Sequence, residues 1–593
     1  MITSAEKLAL LRAALKQNSI SVYIIPLSDP HLSENIPDHW KIIQWLTGFT
    51  GSAATVVITD SFAGLWTDSR YFIQAKKQLA GSGFELVVPK SFQPSDYTQW
   101  LSENIKTGDR IAFDGRSFSI AHLRKLEKRL ENKNVSFENN RDLITEIWCD
   151  RPLMPAKMAW DHPAEFSGKG RDRKIAEVRE QMKRQSVDLH LLTSAEDIMW
   201  MLNIRGNDLD YSPLLLSFAL ISEKQILLFT DYKKIPVPLA SDLRKLNIVI
   251  LPYEETTSAL STSTESSSIL LTPSATSVTL YNSIPKSIRI IEDISIPARL
   301  KTIKNKTEIK NISDVMVKDG IALVKFFFWI ENNIGQFPIT EISLAHKILE
   351  LRLQQKDFLG PSFETITAFN EHSALPHYVP SAESDSEIGE NGILLIDSGG
   401  QYMGGTTDIT RTISIGVPVS QQKKDFTLVL KGHIALAQAK FPMGTRGYQL
   451  DLLARKALWE RGLNYGHGSG HGVGYCLNVH EGPQNISPAD NKTIIEAGML
   501  ISNEPGIYRE GEYGIRTENL IICFEDEETE FGQFLCFDTV SLCNIDRRLI
   551  DKSLLDYKEI NWLNSYHSQV YEKLNPYLSE AEKVWLKDKT EPV

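Results

Sequence analysis

Apolar and polar positions recur along this chain with two periods, and the changes of period mark its elements. The opening stretch MITSAEKLALLRAALKQNSISVYIIP spaces its apolar residues for one face of a short amphipathic helix and then runs into a strand. Two later stretches share a plan. WLTGFTGSAATVVITDSFAGLWTDSRYF, from Trp45, and WMLNIRGNDLDYSPLLLSFALISEKQILLFTDYKK, from Trp200, each lead from a tryptophan through a Gly-containing turn and β-rich sequence to a Thr-Asp pair, Thr67-Asp68 and Thr230-Asp231. The correspondence predicts an internal duplication of an α/β unit. A boundary between the copies is expected near DRPLMPAK, where two prolines follow a helical stretch. The segment TSALSTSTESSSILLTPSATSVTL has the composition of a linker, but SILLTP is a strand pattern and its flanks are patterned, so an ordered loop and strand inside the second copy is expected. Near PARLKTIKNK the period becomes helical, with apolar spacing from Ile312 through Phe328, and a new unit begins.

Length and charge narrow the class. At 593 residues the chain exceeds one ordinary domain. Its formal net charge of -11, with both signs interspersed, offers no basic stripe for nucleic acid and no polybasic patch beside a membrane. No apolar run reaches membrane-spanning length, and IALVKFFFWI, which is short and carries a lysine, reads as a buried helix. The start has no charged-then-apolar signal pattern. Five scattered cysteines, none in a Cys-x-x-Cys pair, point to a reducing, cytoplasmic setting rather than to disulfides or a thiolate metal site.

The candidate chemistry centres on YGHGSGHGVGYCLNVHEGP, residues 465–483. It lacks the His-Glu-x-x-His spacing of a zincin helix, because the fifth position counted from His480 is Gln484, and no register of its glycines makes a dinucleotide fingerprint. So much glycine also argues against a helix, leaving irregular backbone or short strands in which imidazoles converge on one centre. Acidic residues flank this stretch in two similar settings. In NGILLIDSGGQYMGGTTDITRTISIG a β-run ends at Asp397, a Gly-rich turn follows, and a second β-run carries Asp408. In AGMLISNEPGIYREGEYGIRTENLIIC the run MLIS delivers Glu504, and Glu518 lies within a second strand, YGIRTENLIIC. Singly, Asp397, Glu504 and Glu518 are also readable as turn, strand-end or edge-strand carboxylates, whereas Asp408, between threonines in a strand-like run, needs a partner. Two Asp on one hairpin, two Glu on another and a Gly-embedded His between them make a carboxylate-rich set for hard or borderline divalent ions such as manganese, cobalt, iron or zinc.

The motifs LIDSGGQY, TTDITRT, HGSGHGVG, NVHEGP, NEPGIY and GIRTEN, in this order, resemble the pita-bread metallopeptidases, and among them the Xaa-Pro aminopeptidases. The resemblance implies an α/β (α+β) chain of three domains: creatinase-like units at 1–155 and 156–305, and a pita-bread catalytic domain at 306–593 with a C-terminal helical extension. It implies that Asp397, Asp408, His471, Glu504 and Glu518 ligate two metal ions, with Mn2+ the expected ion and Asp408 and Glu518 bridging. It further implies that Glu504 is the general base, that His480 acts on the substrate carbonyl, and that His377, His467, Tyr508 and Arg516 handle substrate or support the ligands. The expected substrates are short peptides with proline second, the expected assembly a homodimer. A prolidase is the main rival, since it uses the same ligands on dipeptides; a creatinase-like or purely peptide-binding protein on this fold is the other. By contrast, Asp385, in the charge run SAESDSEIGE, reads as part of a solvated loop.

Overall fold

The computed structural model describes residues 2–68, 71–88, 96–263 and 266–593. Ser69 and Arg70, near the end of the first Trp-led stretch, and Thr264 and Glu265, within the Ser/Thr-rich segment, lie outside the described residues. The chain divides into two compact units: Met1–Asp161, Arg171–Asp210 and Leu214–Pro297 form one, and His162–Gly170, Tyr211–Pro213 and Ala298–Val593 the other.

The first unit contains the duplication. A helix, Ser4–Gln17, opens with a capping box from Thr3 and Glu6 and is followed by the strand Val22–Pro26, as the opening pattern predicts. That strand sits inside a six-stranded sheet in the order Glu85–Leu86, Ala63–Trp66, Thr55–Ile58, Val22–Pro26, Arg110–Ala112, Ser136–Glu138. A second six-stranded sheet has the order Ile248–Leu251, Ile226–Phe229, Phe218–Ser222, Leu189–Leu192, Ser268–Leu271, Arg289–Glu292. The two sheets match pair by pair: the central strand is antiparallel to one neighbour and parallel to the other, and each outermost pair is parallel. The Thr-Asp pairs do the same work in both. Thr67 Oγ1 donates to Ala53 O at 2.6 Å, and Thr230 Oγ1 to Leu216 O at 3.0 Å, each carbonyl two residues before the first strand of the hairpin. SILLTP supplies the strand Ser268–Leu271.

The second unit begins with the long helix, here α1, Lys306–Asn333. Asn305 caps it, accepting from the amides of Thr307 and Glu308 while Glu308 reaches back to the Asn305 amide. Its buried face includes Ile312, Val315, Met316, Val324, Phe327 and Ile330. Helix α2, Glu341–Leu353, follows. The first ligand-bearing region comprises β1 Phe358–Pro361, β2 Ile366–Phe369, β3 Gly392–Ser398, β4 Gly400–Tyr402, β5 Gly405–Thr406 and β6 Ile409–Ile415, in sheets ordered β1-β4-β5 and β2-β3-β6. After α3 Ser420–Ala437 and α4 Gly447–Trp459, a six-stranded sheet takes the order β7-β14-β13-β10-β8-β9. Those strands are β7 Lys440–Pro442, β8 Gly470–Gly472, β9 Glu481–Ile486, β10 Leu500–Asn503, β13 Asn519–Thr529 and β14 Gly532–Thr539, while β11 Gly506–Arg509 and β12 Tyr513–Arg516 form a separate ribbon. Two closing helices, α5 Tyr557–Leu574 and α6 Glu580–Lys589, bury Leu563, Val570, Leu574 and Leu586 in the same core as α1.

Candidate metal centre

Each predicted carboxylate sits at a joint in a sheet. Asp397 is the penultimate residue of β3, opposite Thr410 of β6. Asp408 falls one residue before β6 rather than inside a strand as expected, because β4 and β5 form a small hairpin between the two long strands. Glu504 directly follows β10. Glu518 also departs from expectation: YGIRTENLIIC is not one strand but β12 and β13 in different sheets, broken at Thr517-Glu518. The break has a cause. The Glu518 amide donates to Thr410 O at 3.2 Å and its carbonyl accepts from Arg411 Nη1 at 2.7 Å, so the backbone pairs sideways with β6 before entering the next sheet.

These joints bring the side chains together. Asp397, Asp408 and Glu518 place one carboxylate oxygen each within 4.8 Å of one another; His471, Glu504 and Glu518, and likewise Asp408, His471 and His480, do the same with one imidazole nitrogen or carboxylate oxygen each. His471 Nε2 lies 3.3 Å from Asp408 Oδ2 and 3.6 Å from Glu504 Oε1. Its Nδ1 lies 2.8 Å from the Gly472 carbonyl, which can only accept, so Nδ1 donates there and Nε2 is the ring nitrogen that faces the carboxylates. All five predicted ligands therefore converge, with Glu518 common to two of the triads.

The electrostatics fit a cation. Asp397 Oδ1 is buried with no hydrogen-bond partner. Burial, and then the charge of Asp408, raise the Asp397 carboxyl to about 6 even though Arg516 opposes the shift. Glu518 is raised well above the usual carboxylate range by burial and by Asp408, Glu504 and Asp397. Carboxylates crowded in this way, with one oxygen unpartnered and one imidazole nitrogen aimed inward, are the donor set of a hard or borderline divalent ion.

Around the ligands the predicted support residues form one chain of bonds. Arg516 Nη2 donates to Asp397 Oδ2 at 2.5 Å, Nε to Thr410 Oγ1 at 3.1 Å and Nη1 to Tyr508 Oη at 2.7 Å. Tyr508 Oη is 2.8 Å from His467 Nε2, whose Nδ1 is 2.7 Å from Gly468 O. Both nitrogens of His467 are thus engaged within the protein, and burial lowers its pKa to about 4, so it is neutral and holds Tyr508 in place. His480 is exposed, its ring edge-on to His471 with centroids 4.3 Å apart. His377 is half-buried in the turn after residues 370–374, where Ser373 Oγ accepts from the Gly514 amide at 2.7 Å. Asp385 is exposed but not merely solvated: its Oδ1 accepts from the Ile342 amide in the first turn of α2.

Several functional supports were not foreseen. Thr410 Oγ1 donates to Glu518 Oε2 at 2.7 Å, and Ser502 Oγ accepts from the His471 amide and donates to Glu504 Oε1 at 3.0 Å. Their alternation with the ligands, as in TTDITRT, is the signal that could have found them. Buried His433 on α3 bonds Asn503 O through Nδ1 and Asn519 Nδ2 through Nε2, bracketing the residues next to Glu504 and Glu518. Arg352, paired with Asp319, donates to the carbonyls of Ser398 and Gly399 just beyond Asp397. The glycines of this stretch have a structural role. A Cβ on Gly470 would stand 2.0 Å from Ser502 O, and one on Gly472 would stand 2.2 Å from Gln484 Nε2, so glycine is what allows β8 to approach its neighbours.

Known proteins place this arrangement. The description Creatinase/Prolidase N-terminal domain matches residues 7–146 and again 150–308, metallopeptidase family M24 matches 310–525, and the C-terminal region of peptidase M24 matches 533–593. Xaa-Pro aminopeptidase 1 of Dictyostelium discoideum is 35% identical across 100% of this chain and 97% of its own length. Aminopeptidase P2 of Arabidopsis thaliana is 35% identical across 99% and 88%. The crystal structure of X-prolyl aminopeptidase from Caenorhabditis elegans, described as a cytosolic enzyme with a di-nuclear active site, is 35% identical, covers 100% of both chains and superposes with a TM-score of 0.96. With its two creatinase-type domains and its clustered carboxylates, the chain belongs to metallopeptidase family M24 and, within it, to the Xaa-Pro aminopeptidases.

Proposed function

We infer that this enzyme hydrolyses the amide between the first residue of a peptide and a proline in second position, releasing that first residue, with two divalent metal ions at the carboxylate cluster. The observation that carries the reading is the convergence of four carboxylates and the Nε2 of His471 in a chain that matches Xaa-Pro aminopeptidases end to end. Asp397, Asp408, His471, Glu504 and Glu518 would hold the two ions, which would supply Lewis acidity that brings the pKa of a water to about 7 and polarises the scissile carbonyl. Manganese is the proposed pair, with cobalt, iron and zinc compatible with the same donors.

The chain's own groups do the rest. Ser502 fixes Glu504 Oε1, so the Glu504 carboxylate is oriented to take a proton from the attacking water and return it to the leaving proline nitrogen. His480, exposed beside His471, donates to the oxyanion that develops on the substrate carbonyl. Arg516 holds Asp397 and Tyr508, and Tyr508 with neutral His467 shapes a wall against which the proline ring rests; we assign His377 to the same pocket. We assign the domains to 1–155, 156–305 and 306–593, a reading supported by family-model edges at 146/150 and 308/310. The cytosolic description of the nematode relative supports a cytoplasmic location, and a homodimer is the proposed assembly. Among the described residues no helix is long and apolar enough to cross a membrane.

The deciding assay loads the metal-stripped enzyme with Mn2+ and compares Xaa-Pro-Yaa peptides, Xaa-Pro dipeptides and Xaa-Ala-Yaa peptides, with elemental analysis alongside. Fast cleavage of the first class alone, at two ions per chain, is expected. Preference for the dipeptide identifies a prolidase, equal rates for alanine and proline remove the specificity, and full activity without metal overturns the mechanism.

A further inference from the structure

Directly after His480 the structure buries a charged cluster that the reaction does not use. Glu481, the first residue of β9, has its side chain 1% exposed, as do Lys301 and Lys304. Lys304 Nζ donates to Glu481 Oε1 and, at 2.9 Å, to Lys301 O. Lys301 Nζ lies 3.7 Å from Glu481 Oε2 and 3.3 Å from Gly482 O, and Gln484 Nε2 lies 3.2 Å from Glu481 Oε1. The two lysines are themselves anchored: Lys304 N donates to Gly498 O at 2.9 Å, and Ile303 pairs with Met499 at the entry to β10.

Removing three charges from water is expensive, and apolar residues of the same volume would serve stability as well or better. A cluster of this kind therefore calls for a role in geometry. Its location supplies one. In the antiparallel β8–β9 pairing Glu481 stands opposite Gly472 while His471 pairs with Asn485, the register shifting between them, and the His480 ring lies edge-on to His471 with centroids 4.3 Å apart. The imidazole of His480 is exposed, whereas Val479 before it and Glu481 after it are buried. The backbone on either side sets where that imidazole starts from, and Glu481 is the side held by charge.

We propose that Glu481, clamped by Lys304 and Lys301, is a positioning residue that fixes the His480 turn for its work on the substrate carbonyl. The proposal rests on the reading that His480 acts on that carbonyl, and the experiment separates the two. The variants are Lys304→Met, which leaves Glu481 paired with Lys301, Glu481→Gln, His480→Ala, and the combination of Lys304→Met with His480→Ala. Each is assayed on an Xaa-Pro-Yaa peptide with bound metal counted and amide exchange followed over residues 476–486. In Lys304→Met, kcat falls roughly 10- to 100-fold, the scale of a misplaced catalytic group, while KM changes little. Metal stays at two ions per chain, exchange quickens in 476–486 alone, and the same change made in the His480→Ala background costs nothing more. An equal further loss in that background, or an unchanged kcat in folded Lys304→Met, overturns the proposal. If His480→Ala itself keeps normal kcat, the underlying reading of His480 fails and this one with it. If only His480→Ala is impaired, the clamp alone is refuted. Should the neutral variants not fold, Lys304→Arg keeps the charge but displaces it: reduced kcat with metal retained supports positioning, and unchanged kcat refutes it.

Discussion

Asp397→Asn gives the most direct test of the electrostatics, because asparagine closely mimics the protonated carboxyl. Burial and Asp408 raise the Asp397 carboxyl from its ordinary 3.8 to about 6 in the metal-free protein, where it is 9% exposed. The sign follows from proton counting. Between these values the folded state holds a proton that the unfolded state has released, so this group favours folding less as pH rises through the window. At pH 7.5 the ionised carboxylate costs the metal-free fold about 3 kcal/mol, and at pH 5 roughly half that. Asparagine removes that cost. For a unit the size of Ala298–Val593, ~2.1 cal/mol/K of unfolding entropy per residue converts about 3 kcal/mol to about 5 °C in Tm.

The assay is thermal unfolding of wild type and Asp397→Asn after exhaustive chelation, at pH 7.5 and pH 5, then again with excess Mn2+. Comparing the two proteins at each pH cancels the contributions of His190, His433 and His567, whose burial depresses their pKa values in both alike. The variant is expected to melt higher than wild type without metal, with the gap narrowing by about half at pH 5. With metal the order reverses, since only wild type has its full ligand set and a ligand at 100 times its Kd adds about 2.7 kcal/mol. A variant that melts lower than wild type without metal at pH 7.5 refutes the argument: the carboxylates would then be mutually stabilised by their hydrogen bonds rather than poised for a cation.

Other changes probe the supports. Asp408→Ala is expected to lose at least one ion per chain by elemental analysis and nearly all turnover, and two retained ions with normal turnover would contradict its assignment. His433→Phe, which removes both bonds to the residues beside Glu504 and Glu518, should weaken metal binding about 10- to 100-fold in a competition titration with a chelator. Arg352→Met strands Asp319 in the core and frees the carbonyls after Asp397, so a loss of about 3–5 kcal/mol in denaturant unfolding is expected. Asp385→Ala should leave kcat/KM unchanged and cost about 1 kcal/mol or less, the worth of one exposed cap on α2.

How much of this was legible depended on the range over which each residue acts. Helix α1 and the paired sheets of the first unit follow from local period and capping, and the ligands stood out because Asp and Glu are poor strand residues placed beside strand-forming runs. The break at Thr517-Glu518 was not legible, since YGIRTENLIIC alternates well enough for one strand and the competing bonds come from Thr410 and Arg411, over a hundred residues earlier. His433, Arg352, Lys301 and Lys304 were missed for the same reason. On a helix or in a linking segment such residues look like ordinary surface charge or polarity, and only the packed chain reveals them as buried and bonded to the site.

The long-range bonds also explain why two hairpins of different sequence hold one centre. In the first, β3 and β6 pair antiparallel, the small β4–β5 hairpin is inserted between them, and Asp397 and Asp408 stand at its two edges. In the second, β10 and β13 pair antiparallel, the β11–β12 ribbon is inserted, and Glu504 and Glu518 stand at its edges. Chain leaving a sheet gives up ladder bonds at the joint, and a side chain there is free to face inward while its neighbours stay locked. What brings the hairpins into register is Arg411. Its guanidinium takes the carbonyls of Thr410 and Glu518, the Asn519 side chain, the Cys543 carbonyl and Tyr566 Oη, so both hairpins and α5 meet on one buried cation. Five fixed donors in a plane suit that task as a lysine ammonium would not. The spacing of the carboxylates is thus set before any ion arrives, and ion binding relieves a repulsion that the fold has already built.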